Sequence, residues 1–467
     1  LKFKSPHLHE SSFISPLKLF IMQLPLIKNN HALKLVIIIM VLGLLSGCVK
    51  DHPFPSTATG EPAKVVYDWY KLIIRIQLRT SPAPIVIKNN RDFGYIGVGL
   101  YEAVRPGIKK SVSLSSILYQ MPSMPEPETH ENYLWSASAN AALASMFRQF
   151  FVGLTDANKA SIDSLENAYI NRFKSITSDA VINRSQAYGR SVATAIYNWS
   201  TTDNFNLSST GYVLPVFPGS WVPTPPAFAS PVGPFLKDSR PFLQSSLTAT
   251  ITPLPFPYSE GPSSQFYTAV KEVYDIGKAL TPEQKTIANF WADVGGPGVG
   301  YPGPGHIISI VTSVLEKKEV DLGQAAEIYA KTGIAFKDAF CRIWRIKFHH
   351  NLLRPVTYIN QHIDPAWQAF LITPPYPEFP SGLAGVYTPA MRVLTRAFGD
   401  IPVTDNTYVW NGSAPRQYAS FTKLAQEAAI SRLYGGIHYR FTQNITLEIG
   451  QKFGDEIANI NLVSPKH

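Results

Sequence analysis

Cysteine is almost missing from this chain. Its 467 residues contain two, Cys48 and Cys341, too few for a disulfide framework or a four-cysteine zinc site. Charge is scarce as well: charged residues make up 16% against 45% hydrophobic. That balance excludes disorder for the bulk of the chain, because burial repays the entropy of ordering. After Cys48 no uninterrupted apolar run approaches the roughly 18 residues of a membrane span. Strand-like alternation is sparse and no internal repeat stands out. The glycine-proline stretch 295–305 lacks the Gly-Lys-Ser/Thr ending of a phosphate loop and reads as a connector. What is abundant is apolar residues at helical spacing, together with 38 prolines.

The first 47 residues have a different character. An almost wholly apolar stretch, 35–45, follows Lys28 and Lys34 and leads into Leu45-Ser46-Gly47-Cys48. It is too short for a membrane helix and has the proportions of an export signal. The last four residues resemble the lipobox of bacterial lipoproteins, whose cysteine becomes the lipidated first residue. The expected division is an over-extended reading frame at 1–21, a signal at 22–47, and lipidated Cys48 with a flexible stalk over 48–64. The resulting expectation is an exported lipoprotein of the cell envelope, held by lipid at Cys48 and placed at the outer membrane or facing the periplasm. Removing residues 1–47 takes away five lysines and one glutamate, lowering net charge from +9 to +5. So modest a charge, without basic tracts interleaved with aromatics, predicts no nucleic-acid partner.

From residue 65 onward the spacing predicts helices over 66–79, 90–104, 131–151, 156–173 and 183–199. Residues 212–262 carry many prolines and read as an ordered wrap or crossover. Helices resume at 265–277 and 282–292, the latter capped by Thr281 with Pro282 at its first position. Long helices follow at 322–353, 383–398 and 417–433. The expected fold is all-α, two packed four-helix bundles with a long proline-rich insertion, divided into regions 65–262 and 263–467.

Three segments of the last third carry chemistry. Between Lys331 and Arg354 six basic residues face Asp338 alone, a local balance of +5 within 24 residues. Lys347 and Arg354 are seven apart, which on a continuous helix puts them on one side. Pro380-Ser381-Gly382 introduces an apolar helix whose unpaired N–H groups suit an oxyanion. Ser431-Arg432 ends another helix, and Gly435-Gly436 turns the chain toward His438. Arginine offers a planar fork of donors, and histidine a neutral nitrogen that serves as ligand or nucleophile.

Taken in order, these segments resemble the superfamily of vanadium-dependent haloperoxidases and type-2 phosphatidic-acid phosphatases. Its pattern of Lys, six residues and Arg-Pro matches Lys347 and Arg354-Pro355. Its Pro-Ser-Gly-His matches Pro380, Ser381 and Gly382, with Leu383 in the histidine position. Its Ser-Arg, five residues, His, three residues, Asp matches Ser431, Arg432 and His438, with Thr442 in the aspartate position. The segments 221–226 and 290–293 also resemble the larger, haloperoxidase-related bacterial branch.

The resemblance implies that Lys347, Arg354, Ser381, Gly382 and Arg432 hold vanadate or phosphate, with His438 as the vanadium ligand. It implies oxidation of halide by peroxide, with Lys347 polarising the bound peroxide. The alternatives are a phosphoesterase in which His438 becomes a phosphohistidine, and a non-catalytic oxyanion-binding or interaction protein. Leu383 removes the expected proton carrier, and Thr442 the carboxylate that orients His438. His306, His349, His350 and His362 are candidate replacements for the proton carrier.

Overall fold

The computed structural model describes residues 57–82, 85–296 and 299–463. The leader, Cys48 and most of the stalk lie outside them. The described chain belongs to a single compact unit that crosses the boundary expected at 262/263. The helices are α1 (Lys64–Leu78), α2 (Val86–Val104), α3 (Trp135–Phe150), α4 (Asp156–Phe173), α5 (Asp179–Ser200), α6 (Gln265–Lys278) and α7 (Pro282–Phe290). They continue as α8 (Gly303–Lys317), α9 (Leu322–His350), α10 (Pro355–His362), α11 (Gly382–Phe398), α12 (Phe421–Tyr434) and α13 (Arg440–Ala458). A two-stranded antiparallel ribbon, β1 (Val403–Asp405) and β2 (Arg416–Tyr418), pairs Thr404 with Gln417. The all-α expectation is met.

Apolar periodicity explains why these segments are helical, and side-chain caps explain where several begin. Thr281 and Gln284 form a reciprocal capping box at α7, and Asp321 and Ser381 cap α9 and α11. Helices α8, α10 and α13 lie beyond the expected set, and α8 begins inside the stretch read as a connector. Its start, Gly303-Pro304-Gly305, looks like a turn in sequence, yet proline is tolerated in a first helical turn, where its missing N–H costs no bond.

The two expected regions are fused along α2 and α9, the most extensive helix pair. Glycines permit the approach: a side-chain carbon on Gly333 would lie 2.9 Å from the Gly94 carbonyl oxygen. The end of the expected stalk is also packed. Ala58 is fully buried, and the Leu322 N–H donates to the Glu61 carbonyl. Residues 57–63 are therefore part of the domain, because their backbone groups find partners there.

Helix α9 stops earlier than expected. Asn351 takes a left-handed conformation and donates to the Phe348 carbonyl, ending the helix at His350. Arg354 is extended, as a residue before proline prefers, and stands as the N-cap position of α10. Lys347 and Arg354 thus lie on successive elements rather than on one helix face.

The proline-rich segment is an ordered brace. Trp221 is buried and its N–H donates to the Asn351 carbonyl, while the Leu353 N–H donates to Gly219. Further on, the Val232 N–H donates to Pro375. The wrap therefore grips two loops, the one preceding Arg354 and the one preceding Ser381.

Candidate active site

A small apolar cluster, separate from the main core, forms around α6, α10 and the ends of α9 and α12. Its members include Ile346, Leu353, Phe379, Leu433 and Tyr439. Each is the immediate neighbour of a polar residue: Lys347, Arg354, Glu378, Arg432 and His438. Burial of the apolar partner fixes the backbone, so the polar side chain is held with little freedom. This is how four separate elements bring their charges to one place.

Arg354 is completely buried. Its Nε donates to the Tyr376 carbonyl at 2.9 Å, and its Nη1 to the Ile437 carbonyl at 2.8 Å and to His438 Nε2 at 3.2 Å. Its Nη2 is buried without a hydrogen-bond partner. Arg432 donates from Nη1 to the Trp291 carbonyl at 2.8 Å. Burial holds both guanidinium groups below their ordinary range, and each positive charge acts on His438.

Lys347 is buried and donates to the carbonyls of Pro377 at 2.8 Å, Glu378 at 2.9 Å and Pro380. An ammonium has three N–H donors, and all three are engaged. The sequence expectation gave Lys347 a direct hold on the anion. The geometry instead makes it a clamp on the loop, contributing charge rather than a free donor. Burial, then the nearby Arg354, push its pKa well down.

Ser381 caps α11, its Oγ accepting from the Ala384 N–H and its own N–H donating to Thr446 Oγ1. A side-chain carbon built on Gly382 would meet nothing within 4 Å. The cradle is open at that point, beside the first N–H groups of the helix.

The carboxylate missed by the motif comparison is Glu378. It is fully buried and accepts from His438 Nδ1 at 2.7 Å and from the Tyr439 N–H at 3.0 Å. Thr442, which stands where the family pattern has aspartate, donates its hydroxyl to the other Glu378 oxygen at 2.8 Å. The orienting carboxylate has moved from α13 to the loop before α11, and Thr442 supports it. With Nδ1 donating to Glu378, the lone pair of Nε2 faces Arg354. Burial, then Arg354, Lys347 and Arg432, hold His438 well below its ordinary pKa and keep the ring neutral. Burial pushes Glu378 up to about 7 against the pull of Arg354 and Lys347. The sequence signal was Glu378 itself, an acid inside the apolar run before Pro380-Ser381.

None of the four candidate histidines enters this cradle. His306 is fully buried between Asp293 and Asp405, each at 2.8 Å. Burial opposes its charge, but Asp405 and Asp293 prevail and raise it to about 10. Asp293 also accepts from Tyr387 at 2.6 Å and Tyr408 at 3.2 Å. His349 is exposed, His350 faces the Thr252 carbonyl at 2.8 Å, and the His362 ring lies against Tyr358. Leu383 is half-buried against the main core.

The basic run disperses in the same way. Lys331 pairs with Glu327, Lys337 with Asp203 and Arg342 with Glu456, and Arg345 donates to the Ser246 carbonyl. Only Lys347 and Arg354 of that run reach the cradle. Glu378 acts against Arg354 and Lys347, and Asp293 against Arg432, and the orphan donor of Arg354 has no acceptor among the described residues.

Comparison with known proteins agrees with this geometry. Residues 327–462 match the family described as the second helical-bundle domain of VCPO. A solved bacterial vanadium-dependent iodoperoxidase is 31% identical, with a TM-score of 0.76 over 87% of this chain and 98% of that one. Holo and apo structures of a bacterial vanadium-dependent chloroperoxidase share the fold at 17% identity and a TM-score of 0.61. The holo match covers 82% of this chain and 94% of that one, and the apo match 81% and 94%. No curated protein matches the sequence. The chain belongs to the vanadium-dependent haloperoxidase family.

Proposed function

We propose that this protein is a haloperoxidase that holds vanadate in the Arg354–Arg432–His438 cradle and oxidises halide with peroxide. The observation that carries this reading is the buried, unpaired Arg354 Nη2 beside His438 Nε2, whose lone pair meets only the neighbouring Arg354 Nη1 at 3.2 Å. A tetrahedral oxyanion supplies acceptors to the first, and its central metal supplies an acceptor orbital to the second. The described residues contain no group of three or more His, Cys, Asp or Glu able to cage a metal ion. A single nitrogen in a cationic cradle suits a metal that brings its own oxygens.

When bound, vanadate supplies electrophilic activation of peroxide. The protein's part is positional and electrostatic. Arg354 and Arg432 neutralise the oxyanion, with the Ser381 hydroxyl and the Gly382 N–H at the open end of the helix. Lys347 holds the loop and adds charge. Glu378 keeps the His438 proton on Nδ1, so that Nε2 stays available. Phosphate fits the same cradle as a competing ligand. Leu383 offers no proton from α11 to a leaving alkoxide or to peroxide, so the choice of halide oxidation over phosphoester hydrolysis rests on the likeness to the bacterial iodoperoxidase.

The test is vanadate titration of the purified chain, followed by iodide, bromide and chloride oxidation. Vanadate-dependent turnover is expected in the wild type and none in His438→Ala. Phosphate-ester cleavage without halide oxidation would favour the phosphohistidine reading, and anion binding without either activity the non-catalytic one. The leader keeps its reading as an export and lipidation signal that places the domain at the cell envelope. Metabolic labelling with a fatty acid, lost in Cys48→Ala, tests it.

A further inference from the structure

The cradle contains a titratable side chain to which the family pattern assigns nothing. Tyr376 lies in the loop before α11, five residues ahead of Ser381, and is half-buried. Its ring centre is 5.1 Å from Lys347 Nζ, 5.1 Å from Arg354 Cζ and 5.1 Å from the Trp344 ring. The phenol lies within electrostatic range of both Arg354 and Arg432.

Two other tyrosines act on one of these arginines each, and both hydroxyls are engaged. Tyr439 donates to the Leu353 carbonyl at 3.3 Å and Tyr387 to Asp293 at 2.6 Å. Among the described residues the Tyr376 hydroxyl donates to no protein acceptor. Of these three tyrosines it alone acts on both arginines, and its hydroxyl is free to serve a ligand between them.

We propose that the Tyr376 hydroxyl donates the proton consumed in halide oxidation, in the place that Leu383 leaves without a donor. This rests on the haloperoxidase reading above. As halide attacks one oxygen of hydrogen peroxide, an oxygen–halogen bond forms and the oxygen–oxygen bond breaks. The halide gives up two electrons and becomes hypohalous acid. The second oxygen takes the phenol proton and leaves as water. The negative charge left on Tyr376 faces Arg354 and Arg432, and solvent returns the proton through the exposed edge of the ring.

Tyr376→Phe keeps the ring tilted against Trp344 and removes only the hydroxyl. In the vanadate-loaded chain it should lower kcat by about 10²-fold while vanadate affinity, measured by calorimetry, stays the same. Leu383→His in the Tyr376→Phe background should restore turnover, because it returns a proton carrier to the helix. A readout independent of activity is the carbon resonance next to the tyrosine hydroxyl in ring-labelled protein. The resonance that disappears in Tyr376→Phe should move when inorganic phosphate saturates the metal-free chain.

Unchanged kcat in Tyr376→Phe overturns the proposal. So does an unmoved resonance in a sample that calorimetry shows to be loaded with phosphate. If the wild type binds neither phosphate nor vanadate, the cradle reading itself fails, and this proposal fails with it.

Discussion

The His306 knot and the Arg354 cradle are both buried and both built from ionisable groups, yet their accounts close differently. Around His306 one imidazolium lies between two aspartates, and two tyrosine hydroxyls take further aspartate lone pairs. In the cradle Glu378 faces Arg354 and Lys347, and Arg354 keeps an unpaired donor. Burying charge costs several kcal/mol per ion unless partners compensate. The knot satisfies both ring nitrogens of His306 internally and is a structural fastener, its spare negative charge at Asp293 acting on Arg432. On the reading proposed above, the cradle leaves its unpaired donor to a ligand.

Breaking the knot should have the largest effect on stability. His306→Leu leaves Asp293 and Asp405 buried and facing each other, at a cost of ~3–5 kcal/mol. Calorimetry should show Tm lower by about 5 °C; an unchanged Tm would mean that the knot fastens nothing.

The cradle should respond to ligand instead. Phosphate at about 100 times its Kd stabilises the protein by ~2.7 kcal/mol, a rise in Tm of about 3 °C. Arg354→Gln should abolish that rise, and His306→Gln should keep it despite starting from a lower Tm. If both variants lose the rise, the two clusters are not independent.

Glu378→Gln should weaken vanadate binding about 10–100-fold, the usual effect of removing a partner of a ligating histidine. Thr442→Asp in the same chain should recover much of the loss, since it returns a carboxylate to the position the family pattern uses. Failure to recover would show that only the loop position can orient His438.

The knot should also show in pH dependence. His306 is raised from 6.5 to about 10 in the folded chain. Its contribution is fully present below pH 6.5 and is lost as pH rises through about 10. Wild-type Tm should fall over that interval, and the His306→Gln curve should lack this component.

Much of the fold was legible in the sequence. Apolar spacing located α1 through α7, and Thr281-Pro282 marked the start of α7. Helix α8 was hidden by Gly303-Pro304-Gly305, which reads as turn chemistry until a first helical turn absorbs it. The end of α9 was misplaced because proline at 355 is visible in sequence, whereas the left-handed Asn351 that stops the helix depends on local geometry. Of the site, Arg354, Ser381, Gly382, Arg432 and His438 were legible through motif spacing. Glu378 was not, because nothing in a linear pattern says that an acid three residues before Ser381 turns toward a histidine sixty residues later.

The order and type of the residues determined that this chain is helical, that it carries cations and a histidine at the family's motif spacing, and that two residues of that motif, at 383 and 442, are replaced. Local propensity and spacing are properties of neighbouring residues and survive in a linear reading. Only the packed structure decided that Lys347 clamps a loop, that Glu378 supplies the carboxylate missing at Thr442, and that His306 serves a separate knot. Those outcomes depend on which buried donor meets which acceptor across the fold, and that pairing is settled by packing.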